Sequence, residues 1–154
     1  MKKYAIVLIA GIIMWLSGCG APHKYINSNM IDYPLLVGVA MTAEKTTYPK
    51  NVTTIDVVWK NDTDLELVFG EAYRLEKKVN GKWKEIKTWM SPSVFISIAY
   101  DVPPHSQRKH TYDLRGYYYL GLGAGQYRIA TRFSHGMAPG DVDVYALYAE
   151  FIVK

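Results

Sequence analysis

From Leu35 to Val153 the sequence never sustains a helical period, and turn residues interrupt it every few positions. Apolar residues at every second position, bounded by Gly, Pro, Asn and Asp, mark half-buried strands. Nine such runs are expected: Leu35 to Thr42, Thr53 to Trp59, Leu65 to Phe69, Tyr73 to Val79, Lys82 to Thr88, Val94 to Tyr100, Arg108 to Leu114, Tyr127 to Phe133 and Val144 to Val153. In the second run Ile55, Val57 and Trp59 share one face, and Asn61-Asp62-Thr63-Asp64 breaks it. Gly70 is expected to stop the third run. Asn80-Gly81 between two alternating runs is a strong hairpin signal, because both residues tolerate the positive φ of a type I′ turn. A chain of about seven to nine short strands fits an all-β fold, an antiparallel β-sandwich.

Nothing covalent is left to staple that sandwich. Cys19 is the only cysteine, and it follows a leader with Lys2 and Lys3 ahead of an apolar stretch, Ala5 to Leu16. That stretch is shorter than the roughly 20 apolar residues of a spanning helix, and it fits a signal peptide. Leu16-Ser17-Gly18-Cys19 resembles the bacterial lipobox. The resemblance implies a diacylglyceryl group on the Cys19 sulfur and cleavage before Cys19, so that the covalent lipid is the only added group. Two or more acyl chains hold a protein stably at a bilayer. The expected organisation is a lipoprotein signal peptide over 1–18, a lipidated N-terminus and tether over 19–34, and one sandwich domain over 35–154. The expected location is extracytoplasmic, at a membrane. With the leader removed the net charge falls from +4 to +2, too weak a balance to argue for nucleic acid. The domain must stand on its apolar core, for which the 13 Tyr, 4 Trp and 4 Phe supply material.

Three stretches carry a further resemblance. They are Phe69 to Trp83 with its Gly70 and Asn80-Gly81; Val102-Pro103-Pro104-His105-Ser106 before a strand ending Tyr112-Asp113-Leu114; and Leu122-Gly123-Ala124-Gly125-Gln126-Tyr127-Arg128-Ile129. The region from about Tyr48 to Val153 resembles the bacterial immunoglobulin-like domains of envelope proteins and lipoproteins, although that family usually has a proline where this chain has Ala124. The resemblance implies an immunoglobulin-like fold and brings no catalytic residues with it, since sandwich domains host many unrelated roles. Tyr127, opening a late strand after a glycine turn, suits a tyrosine corner, in which the phenol bonds back to the turn backbone. Ile129 then occupies the place of the disulfide cysteine of antibody domains.

No catalytic site is expected. There is no GxSxG elbow, no free thiol and no phosphate loop; Gly121 to Gly125 precedes a strand, the wrong context for a dinucleotide fingerprint. His23, His105, His110 and His135 show no metal-ligand spacing. Asp141 and Asp143, like Asp62 and Asp64, lack the rest of a calcium loop. His110 shares a face with Tyr112 and reads as a core-edge residue. The best binding candidates are Tyr117, Tyr118, Tyr119 and Trp89, because three adjacent tyrosines cannot all face one core and exposed aromatics favour protein or glycan contacts. Arg74, Lys77, Lys78, Lys82, Lys84 and Lys87 make the hairpin basic, suited to anionic lipid or wall polymer or to a soluble edge that blocks aggregation. The expected role is non-catalytic binding of an envelope protein or glycan. The alternative is a peptidase-inhibitor-like domain presenting the loops at 101–107 or 134–143. The anchor reading predicts that Cys19→Ala accumulates as an unprocessed, unlipidated precursor, seen by intact mass and by loss of membrane fractionation.

Overall fold

The computed structural model describes residues 25–27, 33–89, 98–118, 121–135 and 143–154. The four residues Leu16 to Cys19 and Tyr119 lie outside them, as do His23, Asp141 and most of the 134–143 loop. The strands are β1 (Tyr25–Asn27), β2 (Val39–Ala43), β3 (Thr47–Tyr48), β4 (Thr54–Asn61), β5 (Leu67–Val79), β6 (Lys82–Ile86), β7 (Ala99–Val102), β8 (Ser106–Asp113), β9 (Gly125–His135) and β10 (Val144–Val153). They form an all-β sandwich. The larger sheet runs β1-β6-β5-β9-β10-β3, with β7 also on β5, and the smaller runs β2-β4-β8. All pairings are antiparallel except the short parallel contact of β3 with the end of β10.

Alternation builds the core. Ile55, Val57 and Trp59 of β4, with Tyr112 of β8 beside Ile55, face Tyr73 and Leu75 of β5 and Tyr127, Ile129 and Phe133 of β9, all buried. Trp59 stacks on Phe69 at 4.1 Å and meets Phe133 edge-on at 5.8 Å. Asn80 and Gly81 have φ of 51° and 77° and close the β5–β6 hairpin as expected.

Two expected strands prove to be one. Leu65 to Phe69 and Tyr73 to Val79 join as β5, and Gly70 does not stop it. The strand instead bulges between Phe69 and Tyr73 against β9. The bulge frees the Ala72 carbonyl, which accepts from the buried Thr131 hydroxyl at 2.9 Å. Gly70 sits where a Cβ would lie 3.4 Å from the Ile98 carbonyl oxygen. On its other side β5 pairs with β7 over Leu67–Gly70 and with β6 over Glu76–Val79.

The outward face of β9 is also covered. Arg128 and Ala130 are buried there beside Ala146, with Tyr33 and Tyr148 packed over the alanines. Arg128 Nε donates to the fully buried Glu76 at 2.5 Å, and its guanidinium lies 4.5 Å from the Trp83 ring centroid and 3.9 Å from that of Tyr148. Burying a charge demands such pairing. Residues before Leu35 contribute too: the Pro34 carbonyl accepts from Ala146 N–H at 2.9 Å, and Tyr33 OH accepts from Arg132 at 2.9 Å.

Tyr127 lies near the start of β9, and its hydroxyl donates to the Gly123 carbonyl at 2.5 Å, the tyrosine-corner bond. Its ring stacks on Phe151, and Ile129 is fully buried two residues on. Tyr127→Phe keeps the packing and removes that bond. It is expected to lower unfolding stability by about 1 kcal/mol, read as a reduced urea midpoint at unchanged m-value.

Candidate functional site

The β4–β8 ladder has two ends, and the described aromatic candidates, Tyr117, Tyr118 and Trp89, lie at the Thr54–Asp113 end. Their fates differ. Tyr118 is 2% exposed, and its hydroxyl accepts from Leu75 N–H at 2.8 Å. Leu75 falls in the stretch of β5 between its β7 and β6 pairings, so its N–H needs an acceptor from elsewhere. That need takes Tyr118 out of the surface and corrects its reading as a binding residue. Burial also pushes its phenol well above the ordinary tyrosine range. Tyr117 is half-buried, edge-on to Tyr73 at 6.0 Å, and its carbonyl accepts from Trp89 N–H at 3.2 Å. Trp89 remains 54% exposed.

The other end is built on a residue that the sequence reading passed over. Asn61 ends β4 on the inward face, after Ile55, Val57 and Trp59, and is fully buried. Its amide nitrogen lies 2.7 Å from the Leu65 carbonyl oxygen, 3.0 Å from that of Val102 and 3.0 Å from that of Pro103. Its Oδ1 accepts from Thr63 N–H at 3.0 Å and from the Thr63 hydroxyl at 2.7 Å. One side chain thereby ties the loop after β4 to the turn before β8. The backbone extends the tie: His105 N–H donates to Thr63 O at 3.3 Å, and Asp62 N–H donates to Gly38 O at 2.7 Å. Gly38 has φ of 87°, and a Cβ there would lie 2.9 Å from Thr63 Cγ2. Three loops, 36–38, 62–65 and 103–105, therefore form one bonded surface.

That surface presents apolar groups to water. Val37 is 92% exposed, Leu35 66% and Leu65 38%. Leu35 and Val37 also line a groove of about 390 Å³ with Leu147 and Tyr148 on the β2–β10 flank. Clustered exposed apolar side chains mark interaction sites more than isolated ones do. Beside them His105 Nε2 lies 2.8 Å from Asp64 Oδ1, an exposed contact worth little to stability. The signal for this end was in the alternation: position 61 falls on the apolar face and carries an Asn.

The remaining candidates are dispersed. His110 is wedged among Phe69, Tyr100 and Tyr112 at ring distances of 5.2, 4.8 and 4.6 Å. Burial lowers its pKa against the opposing pull of Glu71, whose carboxylate is 3.7 Å away. It serves as a neutral core-edge ring. His135 Nε2 and Asp143 Oδ2 are 3.8 Å apart. Among the described residues no three His, Cys, Asp or Glu side chains gather as a metal site.

The two packed sheets, the tyrosine corner and the loop end define an immunoglobulin-like sandwich. A family model described as "Bacterial Ig-like domain" matches residues 36–152, and the chain belongs to that family. No curated protein matches it. Among solved structures it is similar to the periplasmic chaperone SfaE, with 14% identity and a TM-score of 0.35 over 73% of this chain and 57% of that one, so it spans less than two thirds of the chaperone's length.

Because Asn61 satisfies several buried backbone groups at once, Asn61→Ala is expected to cost about 3 kcal/mol. Asp64→Asn, on the same loop but exposed, is expected to stay within about 0.5 kcal/mol of the parent. Urea denaturation of the two variants checks both.

Proposed function

We propose that this chain is a lipid-anchored cell-envelope protein that acts by non-catalytic binding of a protein partner through the loop end built on Asn61. The observation that carries the reading is Val37, 92% exposed yet set in a surface whose loops are bonded to one another. A pre-ordered surface loses little conformational entropy on binding, and apolar groups at its centre supply the contact energy. Membership of the bacterial Ig-like family supports a binding role. The leader and Cys19 support the location and the anchor. The turn at 103–105 brings the peptidase-inhibitor alternative onto the same surface, so a protease partner would also be met there.

A photoreactive residue at Val37, with a second variant at Trp89 on the opposite end, tests the assignment in living cells. A discrete crosslinked protein from Val37 alone is the expected result. A discrete product from Trp89 alone would move the binding face to the aromatic end. Diffuse labelling from both would remove the loop end as a binding site.

A further inference from the structure

The position of β1 changes where a lipid anchor would attach to the domain. Tyr25, Ile26 and Asn27 pair with Ile86, Glu85 and Lys84 of β6. Only residues 20–24 then separate Cys19 from the folded sheet. Six steps of at most about 3.3–3.6 Å span about 20 Å fully extended. A lipid on Cys19 would therefore be tied to the β1–β6 edge and not to the start of β2.

That edge is basic. Lys82 and Lys84 lie on β6 on the face of the buried Ile86, Lys87 follows the strand, and Lys78 lies on β5 opposite Trp83, on the other face of the sheet and 5.4 Å from that ring centroid. The acidic residues nearby are already committed. Glu76 holds Arg128 in the buried pair, and Glu85 lies 3.3 Å from Arg74. Among the described residues no ion pair joins these four lysines to a carboxylate. A charged edge can serve to repel stray strands, but here β1 already occupies the outer edge of β6, which leaves that role little to do. Lysines held near an anionic leaflet are attracted to it within about one Debye length, roughly 8–10 Å.

We infer that the β1–β6 edge of the larger sheet, flanked on its two faces by Lys78 and by Lys82 and Lys84, with Lys87 beyond β6, lies against the anionic headgroups of the bilayer that holds Cys19. This rests on the lipid-anchor reading. The test uses the mature lipidated protein in vesicles of phosphatidylcholine with or without phosphatidylglycerol. Since Cys19 is acylated, one added cysteine takes a fluorophore, either Lys82→Cys or Gln107→Cys, the latter on the exposed face of the smaller sheet. Energy transfer to an acceptor lipid reports distance from the bilayer. The expected result is more efficient transfer from position 82 than from 107 in anionic vesicles, with that excess lost in neutral vesicles, in high salt, or when Lys78, Lys84 and Lys87 are changed to Glu. Equal transfer from the two positions in anionic vesicles, or an excess indifferent to lipid charge, would overturn the inference. So would an edge that moves toward added anionic wall polymer and not toward the lipid. Intact mass separates the two levels. A mature N-terminus without the diacylglyceryl mass would overturn the anchor and this inference together, whereas a lipidated protein with equal transfer would overturn this inference alone.

Discussion

Strand β9 is buried on both faces, and much of the architecture answers to that constraint. Tyr127 to Thr131 are five consecutive buried residues. The inward set, Tyr127, Ile129 and Thr131, is buried toward the smaller sheet, and Thr131 also hydrogen-bonds sideways to the Ala72 carbonyl at the β5 bulge. The outward set includes Arg128, which cannot be left alone in a dry layer. Glu76 answers its charge from the adjacent strand, and Trp83 and Tyr148 close over the guanidinium from either side. Removing one partner of such a pair costs far more than replacing both, because it strands the other charge. The pair thus fixes β5 against β9 in register while requiring that something cover the outer face. Tyr33 and Tyr148 do so over Ala130 and Ala146, which draws the segment ahead of the matched family region into the fold.

The two ends of the sandwich use polar groups in opposite ways. At the aromatic end, hydroxyls serve the interior: Tyr118 satisfies Leu75, Tyr127 satisfies Gly123, and the Tyr73 hydroxyl donates to Asp113 O at 2.7 Å. Ring surface there goes into packing, and among the described residues Trp89 is the large aromatic left exposed. At the Asn61 end a single amide satisfies the loop backbones from beneath. The side chains above it, Val37 and Leu65, owe nothing to the interior. That difference places the candidate binding surface at the Asn61 end.

The same distinction separates what the sequence revealed from what it concealed. Alternation exposed β4, β9 and β10, since period two follows from the pleat alone. Asn80-Gly81 and Tyr127 were legible because local turn chemistry dictates them. The continuity of β5 across Gly70 was not, because the bulge is stabilised by Thr131, 59 residues away from Ala72. Nor could the sequence choose among Tyr117, Tyr118 and Tyr119, since the choice is made by an unpaired N–H on a distant strand. Asn61 was half-legible. Its place on the apolar face was visible, and its role as a hub needed the carbonyls of Val102 and Pro103, brought there by topology. The β1–β6 pairing was concealed for the same reason, three residues being too few to show a period.

The proposed anchor, ending on a sheet edge, would have a geometric consequence. Strands in a sheet lie side by side, so a bilayer facing the β6 edge runs along the strand axes. In that proposed arrangement both ends of the sandwich would point sideways along the membrane and not away from it. The Val37 surface, at one of those ends, would meet partners confined to the same thin layer, where membrane-held proteins are concentrated relative to free solution. The three-residue strand β1 therefore bears on which partners the loop end can reach, although it touches none of the residues that form it.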